Sequence, residues 1–214
     1  MYLDYTNDKL EYYYYKTPII KSIFPHSGPN TGGNPIEIYG GYFIYHPEIG
    51  AWPRAKFGDK IVDCAFNSTV LITCSIPENE NVSGKTELFI SFNGQDWTQS
   101  SMHFTYYEKP VIKSLYPQSF AASGGGTLEV NGKGFTSDVN PGEFNCRFTG
   151  KKDGEKGLEK IVPAKFDSET KTLCNIPGGW EDVDNIEFGL SFNGIDYTTF
   201  DADISMFTVN DIAP

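Results

Sequence analysis

Long apolar stretches are missing from this sequence. No window of ~18 consecutive apolar residues occurs, so no segment has the composition of a membrane-spanning helix, and no membrane contact is expected within it. Basic residues are few, 17 Lys and Arg against 28 Asp and Glu, for a net charge of −11. A surface of that sign repels phosphate backbones, and no basic face with interleaved aromatics is present, so nucleic-acid binding is disfavoured and no nucleic-acid partner is expected. Histidines number only 3 and lie apart at His26, His46 and His103, with no GxSxG or HExxH pattern around them. All three read as ordinary surface residues. No CxxC spacing supports zinc, and the acidic pairs Asp182/Asp184 and Asp201/Asp203 lack the run of oxygen ligands that calcium needs. The segment is therefore expected to be non-enzymatic, with no cofactor and no metal. Met1-Tyr2-Leu3-Asp4 has neither the charged region nor the apolar core of a secretory leader, and compartment is argued from other features.

Turn formers and aromatics are plentiful: 22 Gly, 13 Pro and 32 aromatic residues (16 Phe, 13 Tyr, 3 Trp) describe a turn-rich β protein. The pattern is also repeated. Ser191-Phe192-Asn193-Gly194-Ile195-Asp196-Tyr197-Thr198 matches Ser91-Phe92-Asn93-Gly94-Gln95-Asp96-Trp97-Thr98 at an offset of 100, and a worn copy stands at Asp4-Tyr5-Thr6. An apolar strand, an Asn-Gly turn and an aromatic in the return strand are a hairpin signal. At about 100 residues, each repeat is long enough to bury a core of its own.

The remaining elements recur in the same order. Pro18-Ile19-Ile20-Lys21-Ser22-Ile23-Phe24-Pro25 matches Pro110-Val111-Ile112-Lys113-Ser114-Leu115-Tyr116-Pro117 at an offset of 92. Its proline ends suit an edge strand, and alternation places Ile20, Ser22 and Phe24 on one half-buried face. A glycine-rich turn follows (Gly28 to Gly33, Gly124 to Gly126), then Ile36-Glu37-Ile38-Tyr39-Gly40 opposite Leu128-Glu129-Val130-Asn131-Gly132, each leading to Phe43 or Phe135. Gly132-Lys133-Gly134 is not a dinucleotide loop, because Ser137 stands where the third glycine is needed and no helix pattern follows. Repeat 2 has about nine extra residues around Lys151-Lys152-Asp153-Gly154-Glu155-Lys156-Gly157, a mixed-charge stretch expected to form a solvated loop. Cys74-Ser75-Ile76-Pro77 and Cys174-Asn175-Ile176-Pro177 precede the closing hairpins. Tyr12 to Pro18 runs in register with Phe104 to Pro110, so residues 1–17 are expected to be the tail of a preceding repeat. Pro214 stands where Pro110 did, and a further repeat is expected after it.

Each repeat thus has about seven short strands, with a Pro-bounded first strand, a Gly-Gly turn, an Ile-x-Ile-x-Gly-x-x-Phe block, a Cys-x-Ile-Pro and an Asn-Gly hairpin in order. This ordered set resembles the IPT/TIG family, the immunoglobulin-like domain of plexins, hepatocyte-growth-factor-type receptors and some transcription factors. The resemblance implies an all-β protein: two tandem immunoglobulin-like β-sandwiches at residues 18–109 and 110–214. In cell-surface members tandem copies make stalks and adhesive or ligand-binding surfaces; in intracellular members a related domain dimerises or touches DNA, which the acidic charge disfavours here.

Cys74 and Cys174 are equivalent, whereas Cys64 and Cys146 are replaced by Ala164 and Ala55 in the opposite repeats. Cys64 and Cys74 flank Asn67-Ser68-Thr69, where a hairpin would set them opposite each other. Cys146 and Cys174 lie on more distant strands, a bridge like those of some extracellular family members. Two disulfides of ~2–4 kcal/mol each, in an oxidising compartment, are one reading; four buried thiols are the other. Asn67-Ser68-Thr69 and Asn81-Val82-Ser83 are glycosylation sequons in expected turns. Trp52 and Trp180 sit in loops without an aromatic equivalent, either as anchors for a protein partner or folded back onto their own domain. The expectation is a non-enzymatic spacer and protein-binding module of a cell-surface or extracellular protein, its partners another protein or neighbouring repeats. The rival is an intracellular scaffold array with reduced cysteines. With almost no linker at Glu108-Lys109-Pro110, the two repeats are expected to be coupled.

Overall fold

The computed structural model describes residues 13–80, 82–98, 102–153, 155–183, 185–198 and, for the backbone, 206–210. Two eight-stranded assemblies follow one another along the chain. In repeat 1, β1 (Ile19–Phe24) pairs with β3 (Pro35–Gly41), which pairs with β6 (Leu71–Ser75) and then β5 (Lys60–Ser68). The other layer runs from β5 through β4 (Arg54–Phe57), β7 (Gly84–Ser91) and β8 (His103–Tyr107) to β2 (Ser27–Pro29). β5 belongs to both layers: residues 60–63 pair with β4 and residues 64–68 with β6. Repeat 2 copies the order with β9 (Val111–Tyr116), β10 (Ser119–Ala121), β11 (Thr127–Lys133), β12 (Asn145–Lys152), β13 (Glu155–Ser168), β14 (Lys171–Asn175), β15 (Asn185–Ser191) and β16 (Met206–Asn210). The fold is all-β, two immunoglobulin-like sandwiches in tandem.

Period-two alternation explains the layers. Ile36 and Ile38, Ala55 and Phe57, and Leu88 and Ile90 point inward and are completely buried in repeat 1. Leu128 and Val130, Cys146 and Phe148, and Ile186, Phe188 and Leu190 repeat the pattern in repeat 2. Within one layer of each repeat the aromatic rings meet edge to face, Phe57 on Phe104 at 5.6 Å and Phe148 on its cross-strand neighbour Phe188 at 5.2 Å.

The glycine-rich turn and the Cys-x-Ile-Pro strand form one unit. Gly33 N–H donates to the Ile76 carbonyl at 2.8 Å, and Gly125 N–H to that of Ile176 at 3.0 Å. Gly32 (φ 64°) and its counterpart Gly124 (φ 69°) lie in the left-handed region, against the backbone that follows the Ile-Pro pair. A Cβ on Gly32 would stand 2.5 Å from Glu78 N, so only glycine fits there.

Three expectations are corrected by tertiary structure. β1 is an edge strand, but its inward residues are Ile20 and Ile23, not Ile20, Ser22 and Phe24: a register shift between Ile20 and Ser22 reverses the phase, leaving Ile23 buried and Phe24 43% exposed. The first strand of each repeat is also split in two, because its chain leaves the β3 layer and rejoins the other as β2, giving eight strands rather than seven. The mixed-charge insert is no loop. β12 and β13 extend as a ribbon through it, with Lys151 opposite Lys156 and Lys152 opposite Glu155.

Candidate functional site at the repeat junction

The repeated hairpin sequence builds a rigid peg. Within it, Asn193 Oδ1 accepts from Ile195 N–H at 3.0 Å and Asp196 N–H at 2.8 Å, while its Nδ2 donates to Asp196 Oδ2 at 2.7 Å. Ser191 Oγ accepts from Gly194 N–H at 2.9 Å. Asn93, Asp96 and Ser91 make the same bonds in repeat 1. An Asn side chain that closes a turn onto its own backbone limits the conformations of the tip. The Asn-Gly pair is therefore part of a longer capped turn between β15 and β16, not a two-residue hairpin loop.

In repeat 2 this peg is inserted against repeat 1. Ser27 Oγ donates to the Phe192 carbonyl at 3.1 Å, and Asn34 Nδ2 donates to Asp196 Oδ2. Tyr107, the last residue of β8, belongs to the buried cluster of repeat 2 and meets Phe192 edge to face at 5.2 Å. Its phenol is pushed well above the usual tyrosine range, chiefly by burial and further by the Asp196 and Glu143 carboxylates. A cleft of about 400 Å³ remains beside these contacts, with Asn34, Lys109, Arg147 and Asp196 in its lining.

A second contact locks the junction beside the first, since Phe144 packs on Phe192 at 4.9 Å. The Asn140-Pro141-Gly142-Glu143 turn closes with Glu143 N–H donating to the Asn140 carbonyl at 2.9 Å and presents Glu143 to repeat 1. Glu143 is 7% exposed, and its carboxylate accepts from His26 N–H at 3.0 Å and from His26 Nδ1 at 2.5 Å. Asn140 Nδ2 lies 3.3 Å from the same ring nitrogen, and the bond to the carboxylate assigns the proton to Nδ1. His26 is thus half-buried at the junction, which corrects its reading as an ordinary surface residue; His46 and His103 are exposed. The sequence held a trace of this pair: Gln118 occupies the slot of His26, and Trp52 that of Glu143, so both partners depart from the repeat together.

The other candidates are dispersed. Cys64 and Cys74 face each other on β5 and β6 and are joined at a Cα separation of 4.3 Å. Cys146 and Cys174 join β12 to β14 across the sandwich, Cα atoms 6.2 Å apart. Trp52 is half-buried, its indole under the Arg54 guanidinium at 3.8 Å and donating to Asp63 at 3.0 Å. Trp180 is completely buried in repeat 2 and donates to the Pro177 carbonyl at 2.5 Å, folded back onto its own domain as in the second of the two readings. Gly150 makes room for it, since a Cβ there would crowd Val183 and the Trp180 ring. Asn67 is exposed, with its Oδ1 accepting from Thr73 Oγ1 at 3.0 Å. Asn81, Asp184, Asp201, Asp203 and the Asp4-Tyr5-Thr6 copy lie outside the described residues. Among the described residues no group of three or more His, Cys, Asp or Glu converges on a metal position, and no helix is long and apolar enough to cross a membrane.

With two repeats of one sandwich joined in this way, the sequence model of the IPT/TIG domain matches residues 18–106 and again residues 110–200. The chain belongs to the IPT/TIG family. Among curated proteins it is 25% identical to Plexin-A2 of Homo sapiens over 192 residues, 86% of this chain and 9% of that protein. It is 26% identical to Plexin-B2 of Mus musculus over 122 residues, 57% of this chain and 6% of that protein. The IPT/TIG pair thus spans less than a tenth of the curated relatives it matches. Among solved structures, the Plexin A4 full extracellular region aligns with 93% of the chain, over 16% of its own length, at a TM-score of 0.50 and 20% identity, a likeness of fold.

Proposed function

We propose that this IPT/TIG pair is a non-enzymatic spacer and protein-binding module of a larger receptor-type or adhesive protein, on the cell surface or outside the cell. The observation that carries the reading is sequence similarity to Plexin-A2 across both repeats, 86% of the chain. Two further observations support it. The Plexin A4 region whose fold it shares is extracellular by description, and two cysteine pairs stand within bonding geometry, which suits an oxidising compartment. A spacer must hold direction between its ends, and a junction made of Tyr107, the Phe192 peg and the His26–Glu143 pair resists bending. Within this reading residues 1–17 are the tail of a preceding repeat, 18–109 and 110–214 are the domains, and Asn67 and Asn81 carry glycans. Partner recognition falls to the loop ends and exposed sheet faces, Trp52 included.

Intact mass with thiol counting, on protein purified from its native source, tests the placement. Four blocked cysteines with glycan mass on Asn67 or Asn81 are expected. Four free thiols and no glycan would overturn the extracellular placement in favour of an intracellular scaffold.

A further inference from the structure

The end of repeat 1 that meets residues 13–18 carries a groove whose counterpart in repeat 2 lies against its neighbour. Backbone bonds fix the equivalence. Gly40 N–H donates to the Val70 carbonyl at 2.9 Å and Phe43 N–H to that of Thr69 at 3.1 Å, as Gly132 does to Thr170 at 2.9 Å and Phe135 to Glu169 at 3.2 Å. In repeat 2, the cleft beside Phe135, Thr136 and Thr170 is bounded by Tyr107 and Ser83 of repeat 1. In repeat 1 the corresponding groove measures about 590 Å³ and is lined by Tyr15, Ile19, Tyr42, Ile44 and Val70, with Lys16 and Lys21 exposed beside them.

The two ends differ in chemistry at matched positions. Ile44 and Val70 stand where repeat 2 has Thr136 and Thr170. Lys16, His46 and Thr69 replace Glu108, Asp138 and Glu169, removing three carboxylates and adding a cation in a chain whose net charge is −11. Tyr42 takes the slot of Gly134 although its φ of 61° is the left-handed backbone that Gly134 adopts without a Cβ. Its ring is 50% exposed, with the Lys16 ammonium 5.0 Å from the ring centre. A non-glycine residue held there is an outlier of the kind that marks a binding surface. Among the described residues lining the groove none is acidic.

An apolar floor with cationic edges takes an acidic partner that also covers apolar surface. The end of a repeat that faces the next one supplies it: after Ile76-Pro77 the chain exposes Glu78 and Glu80, and Ser83 of the same loop borders the repeat 2 cleft. We propose that the Tyr42–Val70 groove seats a further IPT/TIG repeat through the acidic loop that follows its Cys-x-Ile-Pro strand. The proposal rests on the tandem-array reading above and adds the surface and charge by which an added repeat is held.

A three-repeat chain tests it, made by placing a second copy of residues 18–104 ahead of Tyr13, where the register of 105–110 resumes. Hydroxyl-radical labelling of Tyr42 should fall severalfold relative to the 214-residue chain, and Glu78→Lys with Glu80→Lys in the added repeat should restore it. Unchanged labelling, with the added repeat melting cooperatively, would overturn the proposal. A second measurement uses the chain as it stands. Transplanting the groove chemistry to the existing junction with Glu108→Lys, Thr136→Ile, Glu169→Thr and Thr170→Val should slow amide exchange at Ser83 severalfold. Exchange that is unchanged or faster would overturn it equally. Small-angle scattering of the unaltered chain separates this from the reading beneath it: independent tumbling of repeats 1 and 2 would remove the rigid array itself, whereas a failed groove with a rigid junction would not.

Discussion

Individual residues decide whether the junction holds. His26→Ala leaves the Glu143 carboxylate with only the residue 26 amide from that side, and a buried acceptor that loses a partner costs about 1–3 kcal/mol. Guanidinium unfolding should show that loss, and scattering should show a broader spread of inter-repeat angles; an unaltered midpoint would remove the pair from the account. Trp180→Ala empties the largest fully buried side chain in repeat 2 and should destabilise the fold by about 3–5 kcal/mol, read by calorimetry as a lowered unfolding transition. Gly32→Ala and Gly124→Ala force a Cβ onto backbone in a left-handed turn, and each should cost about 1–3 kcal/mol.

At the scale of elements, β8 serves two domains. It pairs with β7 in repeat 1, and its last residue, Tyr107, is buried in the core of repeat 2. The Tyr107 phenol has a raised pKa in the folded chain, so its contribution to stability is complete below the unfolded value of about 10 and is lost as pH rises through the folded value. Absorbance titration at 295 nm should show a late-ionising tyrosine class, with stability falling only in the alkaline limb; Tyr107→Phe should remove part of that class. The β12–β13 ribbon behaves oppositely. It projects beyond the repeat 1 plan and holds exposed residues, Leu158 among them, so shortening it by removal of residues 152–155 should leave the melting temperature within a few degrees.

For the whole molecule, the two repeats are expected to unfold as coupled units rather than independently, because Tyr107 and Phe192 bury each other across the boundary. Reduction should lower the melting temperature of both: ~2–4 kcal/mol per bridge is lost from each sandwich. Cys146 and Cys174, which tie the two layers, should matter more than Cys64 and Cys74, which tie two neighbouring strands already paired by backbone. Closing 28 positions rather than 10 removes more freedom from the unfolded chain. Separate Cys146→Ala with Cys174→Ala and Cys64→Ala with Cys74→Ala variants measure the difference.

Much of this architecture was legible in the residues alone. Alternating apolar positions, glycines at fixed offsets and the doubled Ser-Phe-Asn-Gly motif determine strands, turns and a tandem IPT/TIG plan, because each depends on contacts within one repeat and recurs in the other. Tertiary structure decided what depends on a single contact between distant parts. The phase of β1 turns on one register shift, which strand pairing sets and side-chain period alone does not. Trp180 is a core residue because Gly150, thirty positions away, leaves room for it. The His26–Glu143 lock joins residues 117 positions apart, and Gln118 and Trp52 stand in the matching slots, so no repeated motif announces it. Local chemistry writes itself into spacing; a contact made once, between two domains, exists only after both have folded.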